Sequence, residues 1–118
     1  MNTRKPPLES RITKKVLDAL RKRGGFWQKT HGSPLVTRGL PDIIGVYRGR
    51  YIAYEVKRDS SGKLSELQVF KMKEIRRAGG KALRIWSVEQ ALAVLDRIDE
   101  LQEARARRRN SGTTSQLK

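Results

Sequence analysis

Three residues in the middle of the chain, Asp42, Glu55 and Lys57, have the types and spacing that hydrolysis at a metal ion requires. Residues 39–47 and 51–57 each read as a short strand rich in β-branched and aromatic residues, with a tight turn between them. Because strand side chains alternate faces, Glu55 and Lys57 share one side, about 6.6 Å apart. A hairpin brings Asp42 beside them. Two carboxylates and an ammonium group at a sheet edge indicate metal-dependent phosphodiester hydrolysis.

The charge of the chain predicts a polyanionic partner. The 118 residues include 27 basic and 12 acidic side chains, for a formal net charge of +15. Residues 104–118 contain five basic side chains and no acid, so residues 1–103 keep +10 of that charge. Phosphate neutralisation would supply much of the affinity of such a protein for nucleic acid. The alternative on charge alone is a ribosome-associated or merely soluble basic protein.

The composition excludes several kinds of site. The chain has no cysteine, so disulfides, zinc–thiolate sites and cysteine nucleophiles are ruled out. A single histidine, His31, rules out multi-histidine metal sites. No apolar run approaches the roughly 20 residues of a membrane span, and no signal-peptide pattern begins the chain. We therefore expect no membrane partner and a cytoplasmic, intracellular location.

The pattern of apolar residues predicts the elements that position these side chains. An amphipathic helix over residues 8–23 is followed by a strand near 26–30, the hairpin, a helix over about 65–78, a strand over 81–86 and a last helix from 87 to about 101. The order α-β-β-β-α-β-α predicts an α/β fold with a small mixed sheet of about four strands flanked by helices. We expect one domain over residues 1–103 and a basic, disordered tail over 104–118.

Other residues have two interpretations from sequence alone. Glu9 is either a first-turn acid that favours the helix dipole or a functional acid. Gln68 fits a capping box with Ser65, in which its side chain reaches back to the Ser65 backbone. His31, in a polar basic loop over 31–40, either contacts phosphate, acts as an acid or base, or does neither. The basic side chains placed to contact phosphates are Lys29, Arg38, Arg58 and Lys63.

The motifs together resemble a nuclease family. Pro41-Asp42, thirteen residues ahead of Glu55-Val56-Lys57, resembles the signature of the PD-(D/E)XK nuclease superfamily, which has a restriction-endonuclease-like core. A preceding helix that carries Glu9, the segment over 38–43 and the segment over 64–68 are similar to the VRR-NUC (virus-type replication-repair nuclease) branch. The likeness covers about residues 8 to 94.

This resemblance implies a role for each site residue. Asp42, Glu55 and the Val56 carbonyl would hold Mg²⁺ or Mn²⁺, with Glu9 contributing directly or through water. Lys57 would orient or deprotonate the attacking water, or stabilise the charged transition state. Gln68 would position Lys57 or the nucleophile.

The resemblance implies a DNA endonuclease, most simply a structure-selective enzyme like the Holliday-junction resolvases, which act as homodimers. A flap-cleaving, nicking or restriction-like enzyme of the same superfamily is the second hypothesis. The chain has little spare length for sequence recognition, which disfavours restriction. The third hypothesis is a non-catalytic basic DNA-binding module. A short nuclease of this branch would suit a phage, in which case it would work in the bacterial host cytoplasm.

Overall fold

The computed structural model describes residues 8–30 and 38–116. Its elements, in chain order, are helix α1 (Leu8–Arg23), strands β1 (Phe26–Lys29), β2 (Ile43–Tyr47) and β3 (Arg50–Val56), helix α2 (Glu66–Arg77), strand β4 (Lys81–Ile85) and helix α3 (Val88–Gln116). This is the predicted order, α-β-β-β-α-β-α.

The four strands form one mixed sheet in the order β1-β2-β3-β4. The pairs β1–β2 and β2–β3 are antiparallel, and β4 is parallel to β3, to which it is joined through α2. The β2–β3 connection is a two-residue loop, since Tyr47 pairs with Arg50. Both loop residues have positive φ, 49° at Arg48 and 81° at Gly49, as a tight hairpin turn demands.

Side chains along β3 alternate between the two faces of the sheet, and helices cover both faces. Tyr54 lies in the main core with residues of α1 and α3, and its hydroxyl donates to the Ala91 carbonyl of α3 at 2.8 Å. Its neighbour Glu55 points to the opposite face, where it contacts Gln68 of α2 at 2.9 Å. Helices α1 and α3 therefore cover one face, and α2 covers the other near β3 and β4.

Helix α3 is longer than the sequence predicted. It continues to Gln116, whereas we expected the helix to fade after Leu101 and a disordered tail to begin at residue 104. Most of the predicted polar basic loop over 31–40, including His31, lies outside the described residues. Within the described ranges, no helix combines the length and apolar character needed to cross a membrane.

Candidate active site

The start of β2 and the end of β3 bring two buried carboxylates together. Asp42 and Glu55 are only 6% and 4% exposed. The Oδ2 atom of Asp42 accepts a hydrogen bond from the Val56 N–H at 2.7 Å, which fixes Asp42 against the end of β3. Behind it, the buried Thr30 hydroxyl donates to the Pro41 carbonyl at 2.6 Å and holds the chain in place just before β2.

The side chain of Glu55 lies between a cation and an amide. Its Oε2 atom is 3.4 Å from the Lys57 ammonium and accepts a hydrogen bond from Gln68 Nε2 at 2.9 Å. The Lys57 side chain is itself only 14% exposed. The other carboxylate oxygen, Oε1, is buried and has no hydrogen-bond partner. Burying a carboxylate oxygen without a hydrogen bond lowers the stability of the fold. The oxygen therefore remains an unused hydrogen-bond acceptor in the site.

The N-terminus of α2 positions the amide that contacts Glu55. Gln68 completes a capping box: its N–H donates to Ser65 Oγ at 3.1 Å, and its Oε1 accepts from the Ser65 N–H at 2.8 Å. The same Oε1 lies 3.4 Å from Lys57 Nζ. The predicted capping box is therefore confirmed, and the same side chain also contacts the Glu55 carboxylate and the Lys57 ammonium.

Burial and a neighbouring charge weaken the acidity of Glu55. Removal from water, followed by repulsion from Asp42, raises the pKa of Glu55 from 4.5 to about 7, although Lys57 opposes the change. Two carboxylates that repel each other, one of them with an unused oxygen, are the type of ligand that a hard divalent cation takes.

The donor atoms of this cluster fit a divalent cation with oxygen ligands. The Lys57 N–H donates to the Ile85 carbonyl of β4 at 2.8 Å, so the adjacent Val56 directs its N–H and its carbonyl away from β4, toward Asp42. In the described part of the chain, no three acidic or histidine side chains cluster closely enough to form a metal site by themselves.

Glu9 lies near this cluster without joining it. A cavity of about 200 Å³ is lined by Glu9, Ser10 and Thr13 of α1, by Lys29 of β1 and by Asp42. The Glu9 carbonyl accepts a hydrogen bond from Thr13 Oγ1 at 2.8 Å, and the Glu9 side chain is exposed. Glu9 and Asp42 therefore line one cavity that is large enough for water, and Glu55 does not line it.

The four basic residues expected to contact phosphates have different positions. Lys29 lines the cavity beside Asp42. Arg38 and Lys63 are exposed on the segments that lead into β2 and α2. Arg58 is exposed and pairs with Asp59 at 3.5 Å. Of the four, the structure places only Lys29 in the same cavity as a site carboxylate.

Two supporting contacts were not predicted from sequence. Gly62 packs against Lys57, because a Cβ atom at residue 62 would lie 2.7 Å from the Lys57 Cβ. Arg84 donates to the Gly62 carbonyl at 2.6 Å and to the Ser60 carbonyl at 3.1 Å, which ties this loop to β4. The turn-forming composition of 59–63 was visible in the sequence, but its contact with the lysine depends on tertiary structure.

Comparison with known proteins identifies the fold. No family model matches the sequence, and no curated protein matches it. The similar solved structures include a "VRR_NUC domain" with a TM-score of 0.64 and 23% identity, covering 77% of this chain and 97% of that one, and a "VRR_NUC domain protein" with a TM-score of 0.62 and 18% identity, covering 80% and 89%. The chain has the fold of a VRR-NUC domain.

Proposed function

We propose that this protein is a metal-dependent endonuclease that hydrolyses phosphodiester bonds in DNA. The observation that carries the proposal is the buried Asp42–Glu55 pair with the Lys57 ammonium 3.4 Å from Glu55. The net charge of +15 favours a polyanionic substrate, and the names of the two similar structures contain the term for a nuclease domain. A solvated surface ion pair would not need two carboxylates buried side by side.

The residues that would hold the cation are Asp42, Glu55 and the Val56 carbonyl, with Glu9 reaching it directly or through water. A bound Mg²⁺ or Mn²⁺ supplies positive charge beside the scissile phosphate and makes a water molecule a better nucleophile. Two carboxylates and one carbonyl leave several coordination positions open, as Mg²⁺ sites on phosphate substrates do.

Lys57 supplies a fixed positive charge to the reaction. Gln68 and Glu55 hold its ammonium group, and Gly62 leaves room for its stem. In a site with little water, a preorganised cation stabilises charge that develops on the phosphate oxygens. Its donors can also orient the attacking water. Lys29, on the other side of Asp42, is placed to contact a phosphate that enters the cavity.

Within this class, we propose a structure-selective enzyme that acts on branched DNA, with the four-way junction as the favoured substrate. One catalytic set in 118 residues suits a homodimer, because two symmetric nicks in a two-fold junction require two sites. A flap or nicking nuclease would use the same site as a monomer. A binding module would keep the basic surface without cleaving.

The first test compares cleavage of a labelled four-way junction, a flap and a linear duplex with Mg²⁺ or Mn²⁺. Glu55→Gln removes the charge with little change in volume, and we expect it to lower cleavage by roughly 10³-fold or more. Glu89→Gln, an exposed acid at the start of α3, is the matched control and should cleave like the wild type. Paired nicks in the junction support a resolvase.

The other outcomes separate the hypotheses. Cleavage of flaps or duplex alone keeps the nuclease and discards the resolvase. Binding to every substrate without cleavage in either metal supports the DNA-binding module. Light scattering of the protein in solution gives its mass, and a monomer that still makes paired nicks would contradict the dimer.

A further inference from the structure

The C-terminal half of α3 extends beyond the sheet at the end opposite the candidate active site. The helix begins beside the end of β4 and runs back along the sheet, so that Tyr47 contacts Asp99 at 2.9 Å and Gln102 donates to the Arg48 carbonyl at 3.1 Å. At Gln102 the helix is therefore level with the β2–β3 turn. The fourteen residues from there to Gln116 project about 21 Å farther.

A cleft of about 340 Å³ lies where the helix leaves the sheet, and three arginines line it. Arg48 enters from the turn, and Arg105 and Arg109 enter from α3, one helical turn apart; Glu103 also lines the cleft. Asp99 fixes the Arg48 guanidinium through a contact of 2.8 Å. The turn and the helix thus hold three cations around one opening.

The charge of α3 changes along its length. In its first part, arginines face acids: Arg97 lies 3.4 Å from Glu100, and Asp96 and Asp99 contact Arg23 of α1. From residue 104 to 111, the helix carries four arginines, all exposed, and no acid. Like charges one turn apart, as at Arg105 and Arg109, destabilise a helix. A bound polyanion would remove that repulsion.

We propose that this cleft binds the sugar–phosphate backbone of DNA, with Arg48, Arg105 and Arg109 as the phosphate contacts. Arginine suits this role because its planar donors bind phosphate oxygens in pairs. The eight residues from Arg50 to Lys57 are separated by seven steps along the strand and span roughly 23 Å, which corresponds to about seven base pairs of duplex. The cleft would therefore hold a part of the DNA that the catalytic side chains do not reach. The proposal rests on the DNA substrate proposed above.

The test compares two double variants that lose the same charge from the same helix. Arg105→Gln with Arg109→Gln removes two cleft contacts, and Arg107→Gln with Arg108→Gln removes two exposed arginines outside the cleft. Binding of a fluorescent 30-base-pair duplex is followed by anisotropy in EDTA over a range of salt concentrations. We expect the cleft variant to reduce the slope of log K against log[salt] by about 2 and to weaken binding roughly tenfold at 0.1 M salt.

The control variant, Arg107→Gln with Arg108→Gln, should change the slope of log K against log[salt] by less than half as much as the cleft variant does. Equal losses in both pairs would show diffuse attraction without a cleft, and no loss in either would exclude the end of α3 from DNA binding; both overturn the proposal. Matching thermal melts verify that every variant is folded.

Hydrogen exchange separates a backbone site from a site for free phosphate. We expect the duplex to slow exchange of the α3 amides over 104–111, and 10 mM inorganic phosphate to leave it unchanged. Equal protection by phosphate alone would overturn the assignment to DNA backbone. Neither measurement uses cleavage. If the protein cuts DNA but the Arg105→Gln/Arg109→Gln variant keeps the wild-type salt slope, only the proposed cleft is refuted. If the protein binds DNA through the cleft without cutting it, the proposed nuclease is refuted.

Discussion

Glu55 is the residue at which folding and the proposed chemistry conflict most directly. It is buried, it lies beside a second carboxylate, and its Oε1 atom has no hydrogen-bond partner. These conditions raise its pKa to about 7, so folding without a cation favours the protonated acid. A metal site needs the opposite protonation state. The stability of the metal-free protein should therefore depend on the protonation of Glu55.

We expect the metal-free protein to lose stability as the pH rises from 5 to 8. Between pH 4.5 and about 7, the native state binds more protons at Glu55 than the unfolded state does, so the free energy of unfolding falls as the pH increases. Thermal melts in EDTA should show a melting temperature about 5 °C or more lower at pH 8 than at pH 5. Mg²⁺ should restore most of this loss at pH 8.

Two variants make this prediction specific. Glu55→Gln should flatten the pH dependence and reduce the effect of Mg²⁺, because the amide neither titrates nor attracts the cation. Glu100→Gln, which changes an exposed carboxylate on α3, should melt with the wild-type pH dependence. The same fall in stability between pH 5 and 8 in Glu55→Gln would show that another group is responsible.

At the scale of elements, the start of α2 links the stability of a helix to the geometry of the site. Gln68 uses its carbonyl oxygen for the capping box and its amide nitrogen for Glu55. A helix cap is rigid because several hydrogen bonds fix it, which makes it a good support for a side chain that positions reacting groups. The two roles can be separated because Ser65 takes part in only one of them.

Ser65→Ala and Gln68→Ala should therefore differ in activity more than in stability. Each breaks the capping box and should cost about 1 kcal/mol of unfolding free energy. Only Gln68→Ala removes the hydrogen bond to Glu55, and we expect it to lower single-turnover cleavage roughly 10- to 100-fold, as loss of a ligand-orienting partner does. Ser65→Ala should cleave within a few-fold of the wild type. Equal cleavage by the two variants would show that Gln68 acts only as a cap.

The elements were predictable wherever a local pattern specifies them. Alternation in the hairpin gave both strands and placed Glu55 and Lys57 on one face, and Ser65 with Gln68 gave the start of α2. The length of α3 was not predicted, because the regular spacing of apolar residues ends near Leu101. A helix can continue past that point without apolar residues. Arginine, alanine and glutamate are strong helix formers, and no glycine interrupts them before Gly112.

The supports of the site were harder to predict than its chemical groups. Asp42, Glu55 and Lys57 stand out because carboxylates and a lysine are unusual within apolar strands. The bond from Thr30 to Pro41 and the packing of Gly62 on Lys57 join residues eleven and five positions apart across loops. Such contacts depend on the register of the sheet and the path of each loop. A single sequence specifies neither without the fold.

At the scale of the whole molecule, Asp99 joins three elements that are distant in sequence. Its carboxylate contacts Arg48 of the β2–β3 turn at 2.8 Å, the Tyr47 hydroxyl at 2.9 Å and Arg23 at the end of α1 at 3.0 Å. These bonds, led by the one from Arg48, hold the pKa of Asp99 below its usual value of 3.8. The charged form of Asp99 therefore fastens α1, α3 and the hairpin to one another.

Asp99→Asn should lower the melting temperature at neutral pH and remove part of the acid sensitivity of the wild type. Because the folded-state pKa of Asp99 is depressed, its contribution is complete above the unfolded pKa and disappears as the pH falls through the folded value. Asp18→Asn is the matched control, since Asp18 forms an exposed pair with Lys14 at 3.1 Å, and it should change the melting temperature little.

Circular dichroism melts at pH 7 and pH 3 test this prediction, with a larger gap between wild type and Asp99→Asn expected at pH 7. An equal gap at both pH values would mean that the carboxylate acts through packing and that its charge is irrelevant. The metal-free protein should therefore have two titrations with opposite effects on its stability. Protonation of Asp99 lowers the stability in acid, and deprotonation of Glu55 lowers it above pH 4.5. The stability maximum in EDTA should accordingly lie at mildly acidic pH, and Mg²⁺ should move it toward neutrality by stabilising the charged form of Glu55.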